Sequence, residues 1–230
     1  MERMERIGTY PLFQNIKAEG LEEMLQCVHV RYRSFPKDSF LALAEEEIHY
    51  VGVICKGSVR MVREDDWGNQ ILLVHMGEGE LFGETFVCSA SFASKVSFVT
   101  AEETEILFLD YDRVMHTCSL TCRHHHRLIE NMLRCIAEKN IQLMEKIEVI
   151  SQRSLRDKLM TYLSLESQRQ GRSVFSVPLS RVEMAEYLCA DRSAVSRELA
   201  SMQADGLISF EKNIFCILGK ENGNRDRKRR

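Results

Sequence analysis

The stretch PLSRVEMAEYLCADRSAVSRELASMQADG, residues 178–206, has the pattern of two short helices joined by a tight turn. Ser180 and Glu183 form a capping box, in which each side chain accepts a hydrogen bond from the other residue's amide, so a helix is predicted to begin at Ser180. Asp191 is a candidate N-cap for a second helix, which Gly206 would end in the left-handed conformation. The apolar residues expected to face the core are Val182, Ala185 and Leu188 in the first helix and Val195, Leu199 and Met202 in the second.

The second helix carries polar side chains on the side away from its apolar stripe, within its first two turns. An outward face of Arg and Ser at this place is suited to reading the major groove of DNA, since arginine can donate two hydrogen bonds to guanine while the first helix rests on phosphate. A solvated helical hairpin is the alternative. The predicted DNA contacts are Ser180, Arg192, Ser193, Ser196 and Arg197.

A β-hairpin is predicted directly after the helix pair. Apolar residues alternate along 207–211 and 214–218, and Lys212-Asn213 supplies the turn. A helix pair followed by a hairpin is a winged helix-turn-helix, which weakens the interpretation as a bare helical hairpin.

Composition and charge fit a basic DNA-binding module joined to an acidic sensor. The 230 residues are 44% hydrophobic and 28% charged, enough for one large domain and one small one. Residues 1–150 contain 16 Lys and Arg against 24 Asp and Glu, whereas residues 151–230 contain 15 against 10. The sequence shows no run of eighteen apolar residues and no signal segment, which predicts a cytoplasmic protein with no membrane contact.

Residues 28–109 show short strands separated by turn residues, with Gly57, Gly77 and Gly83 among the glycines that punctuate them. This pattern predicts an antiparallel β-roll or jelly roll. Asp110 is expected to cap a small helix through Val114. A helical lead-in is expected over 10–26, anchored by Leu12, Phe13, Ile16, Leu21 and Leu25.

After Ser119 the apolar period becomes helical for about thirty residues. A heptad seam with one polar break is formed by Ile129, Leu133, Ile136, Asn140, Leu143, Ile147 and Ile150. Such a seam needs a partner helix, and a single Asn at an a position favours a parallel, two-stranded arrangement. We therefore predict a homodimer, which would present two helix pairs to two half-sites about one helical turn apart. The alternative is a helix that packs only on its own domain.

These patterns predict an α+β chain with four parts and a hinge around 150–152. The parts are a β-roll sensor domain over 1–118, a dimerisation helix over 119–150, a winged helix-turn-helix over 151–219 and a disordered basic tail over 220–230.

This order of parts resembles the family of the cyclic AMP receptor protein and the fumarate-nitrate reduction regulator, the CRP/FNR family. The segments that carry the resemblance are VICKGSV at 53–59, GELFGE at 79–84 and RSAVSR at 192–197. It implies a cyclic-nucleotide-binding-like roll, allosteric control by a small effector held between roll and dimer helix, a near-palindromic operator in double-stranded DNA, and contact with RNA polymerase. Ser193 stands where many members have Glu, so a different operator core is expected.

The resemblance also implies an effector site, from which this chain departs. The Gly-Glu pair that holds the ribose in cyclic-nucleotide-binding members is present as Gly83-Glu84, followed by Thr85, but the Arg-Ser pair that holds the phosphate becomes Lys95-Val96. On the dimer helix the pair that meets adenine becomes Lys139-Asn140. Because Lys lacks the bidentate fork of Arg and Val has no hydroxyl, an unidentified small molecule is favoured over cyclic AMP.

Haem, a metal or thiol site and an iron–sulfur cluster are the other sensor chemistries that the sequence could support. Haem is an alternative cofactor, although no spacing identifies an axial ligand. Cys118, Cys122 and His124–His126 bunch near the start of the dimer helix and could bind metal or react with oxidants, but a loosely packed helix start is the simpler explanation and no metal site is predicted. An N-terminal iron–sulfur cluster is disfavoured, because Cys27 stands alone before Cys55.

Two further classes of protein fit less well. The sequence contains no GxSxG, HExxH or P-loop motif, so an enzyme is not expected. A nucleotide-binding module without a DNA target would not need the face at 192–197 or a basic half.

Overall fold

The computed structural model describes residues 2–64, 67, 70–89, 92–115 and 123–218. Contacts divide the chain into two compact units, residues 1–143 and residues 144–230. Each unit has its own core, and the long helix predicted from the heptad pattern contributes to both.

The first unit begins with helical segments, of which the lead-in predicted over 10–26 covers the second and third but not the first. Helix α1 spans Glu2–Gly8, a 3-10 turn spans Pro11–Phe13, and α2 spans Ala18–Cys27. The five apolar anchors named from the sequence are all buried, with Phe13 and Leu12 at 1% exposure or less.

Within the described residues, eight short strands follow and form two antiparallel sheets of four strands each. Their order is β1-β8-β3-β6 in one sheet and β2-β7-β4-β5 in the other, which confirms the predicted β-roll. Their bounds are Arg31–Phe35 (β1), Phe40–Ala42 (β2), Tyr50–Lys56 (β3), Val59–Glu64 (β4), Gln70–Met76 (β5), Leu81–Phe82 (β6), Ser97–Thr100 (β7) and Thr104–Asp110 (β8). Trp67, the sole tryptophan of the sequence, lies between β4 and β5 with 84% of its surface exposed.

Helices α3 and α4 and most of α5 complete the described part of this unit. Helix α3 spans Glu84–Val87 after β6, and α4 spans Tyr111–Met115, where the Asp110 carboxylate accepts a hydrogen bond from the Arg113 amide as expected of a cap. Helix α5 is one continuous element, Arg123–Ile150. Its buried face includes Leu128, Met132, Lys139, Lys146 and Val149, which recur at helical spacing.

The second unit is a winged helix-turn-helix. Helix α6 spans Leu155–Gln170, α7 Arg181–Leu188 and α8 Arg192–Ala204, and the wing strands are Ile208–Glu211 (β10) and Ile214–Ile217 (β11). A third strand, β9 at Val174–Ser176, pairs with β11 and was missed from the sequence. In α8 the predicted stripe of Val195, Leu199 and Met202 is buried.

One inward residue of α7 was predicted wrongly. Val182 is 46% exposed, and Met184 is fully buried in its place beside Ala185 and Leu188. The reason is that three residues turn an α-helix by only about 300°, so a spacing of three over 182, 185 and 188 drifts around the helix and leaves Val182 off the face of Met184, Ala185 and Leu188.

Candidate DNA interface and effector cavity

The turn between α7 and α8 is set by local hydrogen bonds. The Ser180 hydroxyl accepts from the Glu183 amide and the Glu183 carboxylate accepts from the Ser180 amide, so the predicted capping box is present. Cys189 ends α7 in the left-handed conformation at φ 52°. Asp191 stands at the N-cap of α8, although its side chain makes no capping hydrogen bond.

All five predicted DNA contacts are exposed on this pair of helices. On α8, Ser193 and Arg197 lie roughly opposite the buried stripe and Ser196 lies about a quarter turn from it, whereas Arg192 is in line with the stripe and is exposed as the first residue of the helix. The Arg197 Nε donates to the Ser193 carbonyl oxygen at 3.3 Å, which lays the guanidinium along the first two turns of the helix. Exposed guanidinium and hydroxyl groups on a helix whose apolar stripe is packed in the core are available to donate hydrogen bonds to base edges or phosphates.

Arg181 fixes the wing and was not singled out from the sequence. Its Nη2 donates to the Lys212 carbonyl oxygen at 2.7 Å, and its guanidinium carbon lies 5.2 Å and 5.1 Å from the ring centroids of Phe210 and Phe215. Burial lowers the pKa of this guanidinium. An arginine at the start of α7 in a DNA-binding unit would ordinarily be assigned to phosphate, and only the neighbouring rings of the hairpin show its role in packing.

In the first unit, Glu84 and Lys139 form a buried ion pair. Lys139 Nζ lies 2.6 Å from Glu84 Oε1 and also donates to the Leu81 carbonyl oxygen, and the two residues are 8% and 1% exposed. Glu84 Oε2 is buried without a hydrogen-bond partner among the described residues. The loop that carries α3 is therefore bonded directly to α5.

Gly83 makes the tight entry into α3. Its φ is +85°, and a Cβ added there would lie 2.9 Å from the Tyr50 carbonyl oxygen. Any side chain would be strained at this φ and would crowd β3, which accounts for glycine before Glu84. Thr85 is exposed and its hydroxyl lies 3.3 Å from Glu84 Oε1.

The remaining predicted effector contacts take no part in this ion pair. Lys95 is exposed and pairs with Glu45 at 3.3 Å, whereas Val96 is buried with its backbone bonded to the Ser94 hydroxyl. Asn140 is exposed on α5. An effector contact by Lys95, Val96 or Asn140 therefore stays a prediction.

A cavity of about 420 Å³ opens where α5 faces the lead-in and the turn before β6. Of the effector residues predicted from the sequence, Lys139 lines it. Burial raises the pKa of the Cys135 thiol in its wall to about 11, so that thiol stays protonated at neutral pH. The lining residues are Pro11, Gln14, Gly79, Glu80, Leu81, Arg134, Cys135, Glu138, Lys139 and Gln142.

The outer face of α5 is apolar and exposed. Leu133, Met144 and Ile147 are 61%, 63% and 59% exposed, and Asn140 lies among them. The other residues of the predicted seam are Ile129, Ile136, Leu143 and Ile150, which are half-buried, and Ile136 and Leu143 pack against the core of the first unit.

The last two turns of α5 are bonded within the second unit. Lys146 Nζ donates to the Tyr187 carbonyl oxygen at 2.9 Å and lies 4.3 Å from the centroid of the Tyr187 ring, and Arg169 pairs with Glu145 and Glu166. Burial lowers the pKa of Lys146 to about 8. The boundary between the two compact units falls between Leu143 and Met144, inside α5. The hinge expected around 150–152 stays a prediction.

The possible metal and redox cluster lies only partly within the structure. Cys118 and Cys122 fall outside the described residues. His125 is buried with Nε2 3.2 Å from the Arg113 carbonyl oxygen, and His126 pairs with Glu130. Within the described ranges, no three His, Cys, Asp or Glu side chains gather closely enough to hold a metal ion. Within the same ranges, no helix combines the length and apolar character needed to cross a bilayer.

Two family models match the two units in order. The cyclic nucleotide-binding domain matches residues 32–119, and the Crp-like helix-turn-helix domain matches residues 157–221. The cyclic AMP receptor protein of Thermus thermophilus is 26% identical over 204 residues, which cover 86% of this chain and 88% of that protein. The transcriptional activator FnrL of Cereibacter sphaeroides is 25% identical over 128 residues, which cover 47% of this chain and 52% of that protein.

A solved structure shares the fold. The c-di-GMP responsive global regulator CLP of Xanthomonas campestris is 20% identical with a TM-score of 0.72, and the match covers 88% of this chain and 100% of that one. The roll, the long helix and the winged helix-turn-helix thus define a DNA-binding transcription regulator with a cyclic-nucleotide-binding-type sensor domain. The chain belongs to the CRP/FNR family.

Proposed function

We propose that the protein binds a near-palindromic operator as a homodimer and that Arg192, Ser193, Ser196 and Arg197 read it from the major groove. The observation that carries this proposal is that all four side chains are exposed in the first two turns of α8, with Ser193, Ser196 and Arg197 turned away from the buried stripe and Arg192 at the open start of the helix. A helix held in this way can enter the groove without losing its packing. Ser180, exposed at the start of α7, would contact the backbone as helix N-termini do.

Dimerisation through α5 is supported by its outer face. Leu133, Ala137, Asn140, Met144 and Ile147 follow one another at spacings of four and three and are all exposed. This spacing keeps a heptad seam, but it replaces the half-buried Ile136 and Leu143 by Ala137 and Met144. A second copy of this helix is the partner that such a seam fits, because two helix-turn-helix units are needed for two half-sites.

The effector is proposed to act where Glu84 and Lys139 meet. Lys139 lines the cavity and bonds the loop of α3, so a small molecule in the cavity would compete for the ammonium that ties this loop to α5. The Thermus relative is named for cyclic AMP, and the Xanthomonas regulator responds to c-di-GMP. The replacement of an Arg-Ser pair by Lys95-Val96 favours a different ligand here. Contact with RNA polymerase and a cytoplasmic location complete the proposal.

Selection of binding sites from random duplexes tests the DNA reading. The wild type is expected to select a two-fold symmetric motif with half-site centres about 10 bp apart. Arg197→Ala should lose preference for one base pair per half-site, worth about 1–3 kcal/mol, because its guanidinium can reach guanine O6 and N7. Arg172→Ala, which removes an exposed arginine after α6, is the matched control and should keep the motif. A wild-type pool without two-fold symmetry, or an unchanged motif with Arg197→Ala, would contradict this docking.

Sedimentation tests the dimer. Ile147→Lys should weaken association by several kcal/mol, because the dimer would bury an unpaired ammonium at a seam position. Glu148→Lys places the same ammonium one residue off the seam and should leave the dimer intact. If both variants sediment as the wild type at micromolar concentration, α5 does not form the interface.

A further inference from the structure

Arg156 joins the first turn of α6 to the recognition helix α8. Its guanidinium uses all three nitrogens: Nε lies 2.6 Å from Glu198 Oε1, Nη2 lies 2.8 Å from Ser201 Oγ, and Nη1 lies 2.6 Å from Asp205 Oδ2. Arginine presents these donors in a rigid planar fork, so three simultaneous bonds fix both the distance and the orientation between the two helices.

The three partners of Arg156 form one stripe along α8. Glu198, Ser201 and Asp205 stand three and four residues apart, so they lie above one another over two turns. On the helix circumference this stripe is about a quarter turn from the buried stripe of Val195, Leu199 and Met202. The exposed Arg197 lies beyond it on the far side, and Arg156 therefore grips α8 along a flank between its core face and its reading face.

Apolar packing alone leaves one motion of α8 poorly controlled. Contacts among aliphatic side chains are non-directional, so they hold a helix against its neighbours better than they fix its rotation about its own axis. Side chains reach about 5–6 Å from that axis, so a rotation of 10° displaces a reading atom by about 1 Å. A shift of this size is enough to spoil a bidentate contact with guanine, which requires hydrogen bonds in a narrow geometry.

We propose that Arg156 is a positioning residue for base recognition: it sets the rotation of α8 and contacts no DNA itself. Because it stands two residues after Ser154, the N-cap of α6, the same three bonds tie the recognition helix to the segment that follows α5. The inference rests on the proposal that α8 reads the operator. If the wild-type protein selects no motif, the proposal that α8 reads the operator fails. If it selects one, the role of Arg156 is tested separately, on that selected operator.

The test compares full-length variants on that operator and on a scrambled duplex, each over a range of salt. Arg156→Ala should lower the ratio of operator affinity to scrambled-duplex affinity by about tenfold or more, because misplacement affects base contacts in both half-sites. The slope of log affinity against log salt should not change, since no phosphate contact is lost. Arg156→Lys keeps the charge without the fork and should recover only part of the ratio.

A second pair of variants separates positioning from simple electrostatics and serves if Arg156→Ala does not fold. Glu198→Gln and Asp205→Asn each remove a negative charge from the DNA-binding unit, so each should raise the affinity for the scrambled duplex. A positioning role requires that they lower the operator ratio all the same. Arg169→Ala is the matched control: it removes an arginine of α6 that pairs with Glu145 and Glu166 and not with α8, and it should leave the ratio unchanged.

Two results would overturn the proposal. One is an unchanged operator ratio in Arg156→Ala and in both carboxylate variants. The other is a fall of the salt slope by about one charge in Arg156→Ala with equal loss on both duplexes, which would make Arg156 a phosphate contact.

Discussion

Two buried lysines on α5, one in each unit, have their ammonium groups stabilised by different partners. Lys139 is 8% exposed in the first unit and has the Glu84 carboxylate 2.6 Å away. Lys146, seven residues later and on the same side of the helix, is 4% exposed in the second unit and donates to the Tyr187 carbonyl oxygen under the face of the Tyr187 ring.

The difference shows two ways of holding α5. In the first unit a full opposite charge offsets the desolvation of the ammonium, so the helix is tied to the loop that carries α3. In the second unit a carbonyl dipole and a ring face take this place, and burial lowers the pKa of Lys146 to about 8. Position in the heptad is the same, and the surroundings decide the chemistry.

The largest effect on the free energy of unfolding is expected when the ion pair of the first unit is broken. Glu84→Ala leaves the Lys139 ammonium buried without its carboxylate and should lower the free energy of unfolding by about 3–5 kcal/mol. The double variant Glu84→Leu with Lys139→Met should come close to the wild type, because it replaces both charges by apolar groups of similar size. Urea unfolding followed by far-ultraviolet circular dichroism gives both values.

Lys95 provides the exposed control for this measurement. Lys95→Ala breaks the pair with Glu45, and because both side chains are exposed, the change in free energy of unfolding should be about 0.5 kcal/mol or less. A loss with Glu84→Ala no larger than this would show that the buried pair is not a stabilising contact.

A smaller and pH-dependent effect is expected at Lys146. Its pKa is about 8 in the folded protein and near 10.5 when unfolded, so between these values the unfolded chain binds the extra proton. The free energy of unfolding should therefore rise between pH 8 and about 10, by up to about 1.4 kcal/mol per pH unit, and Lys146→Met should remove this rise. Above that range the buried tyrosines act in the opposite direction, since burial raises the pKa of Tyr187 to about 12.

The matched control for this prediction is Lys158→Met. Lys158 Nζ also bonds the end of α7, at the Leu188 carbonyl oxygen, but it is only half-buried. This variant should keep the rise between pH 8 and 10. If Lys146→Met keeps it as well, the rise comes from other groups.

The second unit was predicted well because its signals are local. The capping box at Ser180 involves residues three apart, and the stripe of Val195, Leu199 and Met202 follows from helical periodicity alone. The third strand, β9, was not predicted, because the three residues Val174–Ser176 are too few to show alternation and their pairing with β11 is a long-range contact. The grip of Arg156 on α8 also depends on residues more than forty positions apart.

The first unit shows where sequence patterns reach their limit. The roll followed from its glycines, and Glu84 and Lys139 were both named, but nothing in their spacing indicated that they bond each other across 55 positions. The heptad pattern placed Ile136 and Leu143 on the dimer seam of α5, and the fold shows that both side chains also pack against the core of the first unit. Their contact with a partner helix stays a prediction.

Trp67 has a practical consequence for spectroscopy. The single indole is already 84% exposed in the folded protein, so unfolding changes its contact with water little. The fluorescence of Trp67 should therefore change little when the roll or the helix-turn-helix unfolds. The emission of Trp67 therefore reports only on its own surroundings between β4 and β5. A tryptophan introduced at Phe13 or at Phe215, both fully buried, would give each unit a separate unfolding signal.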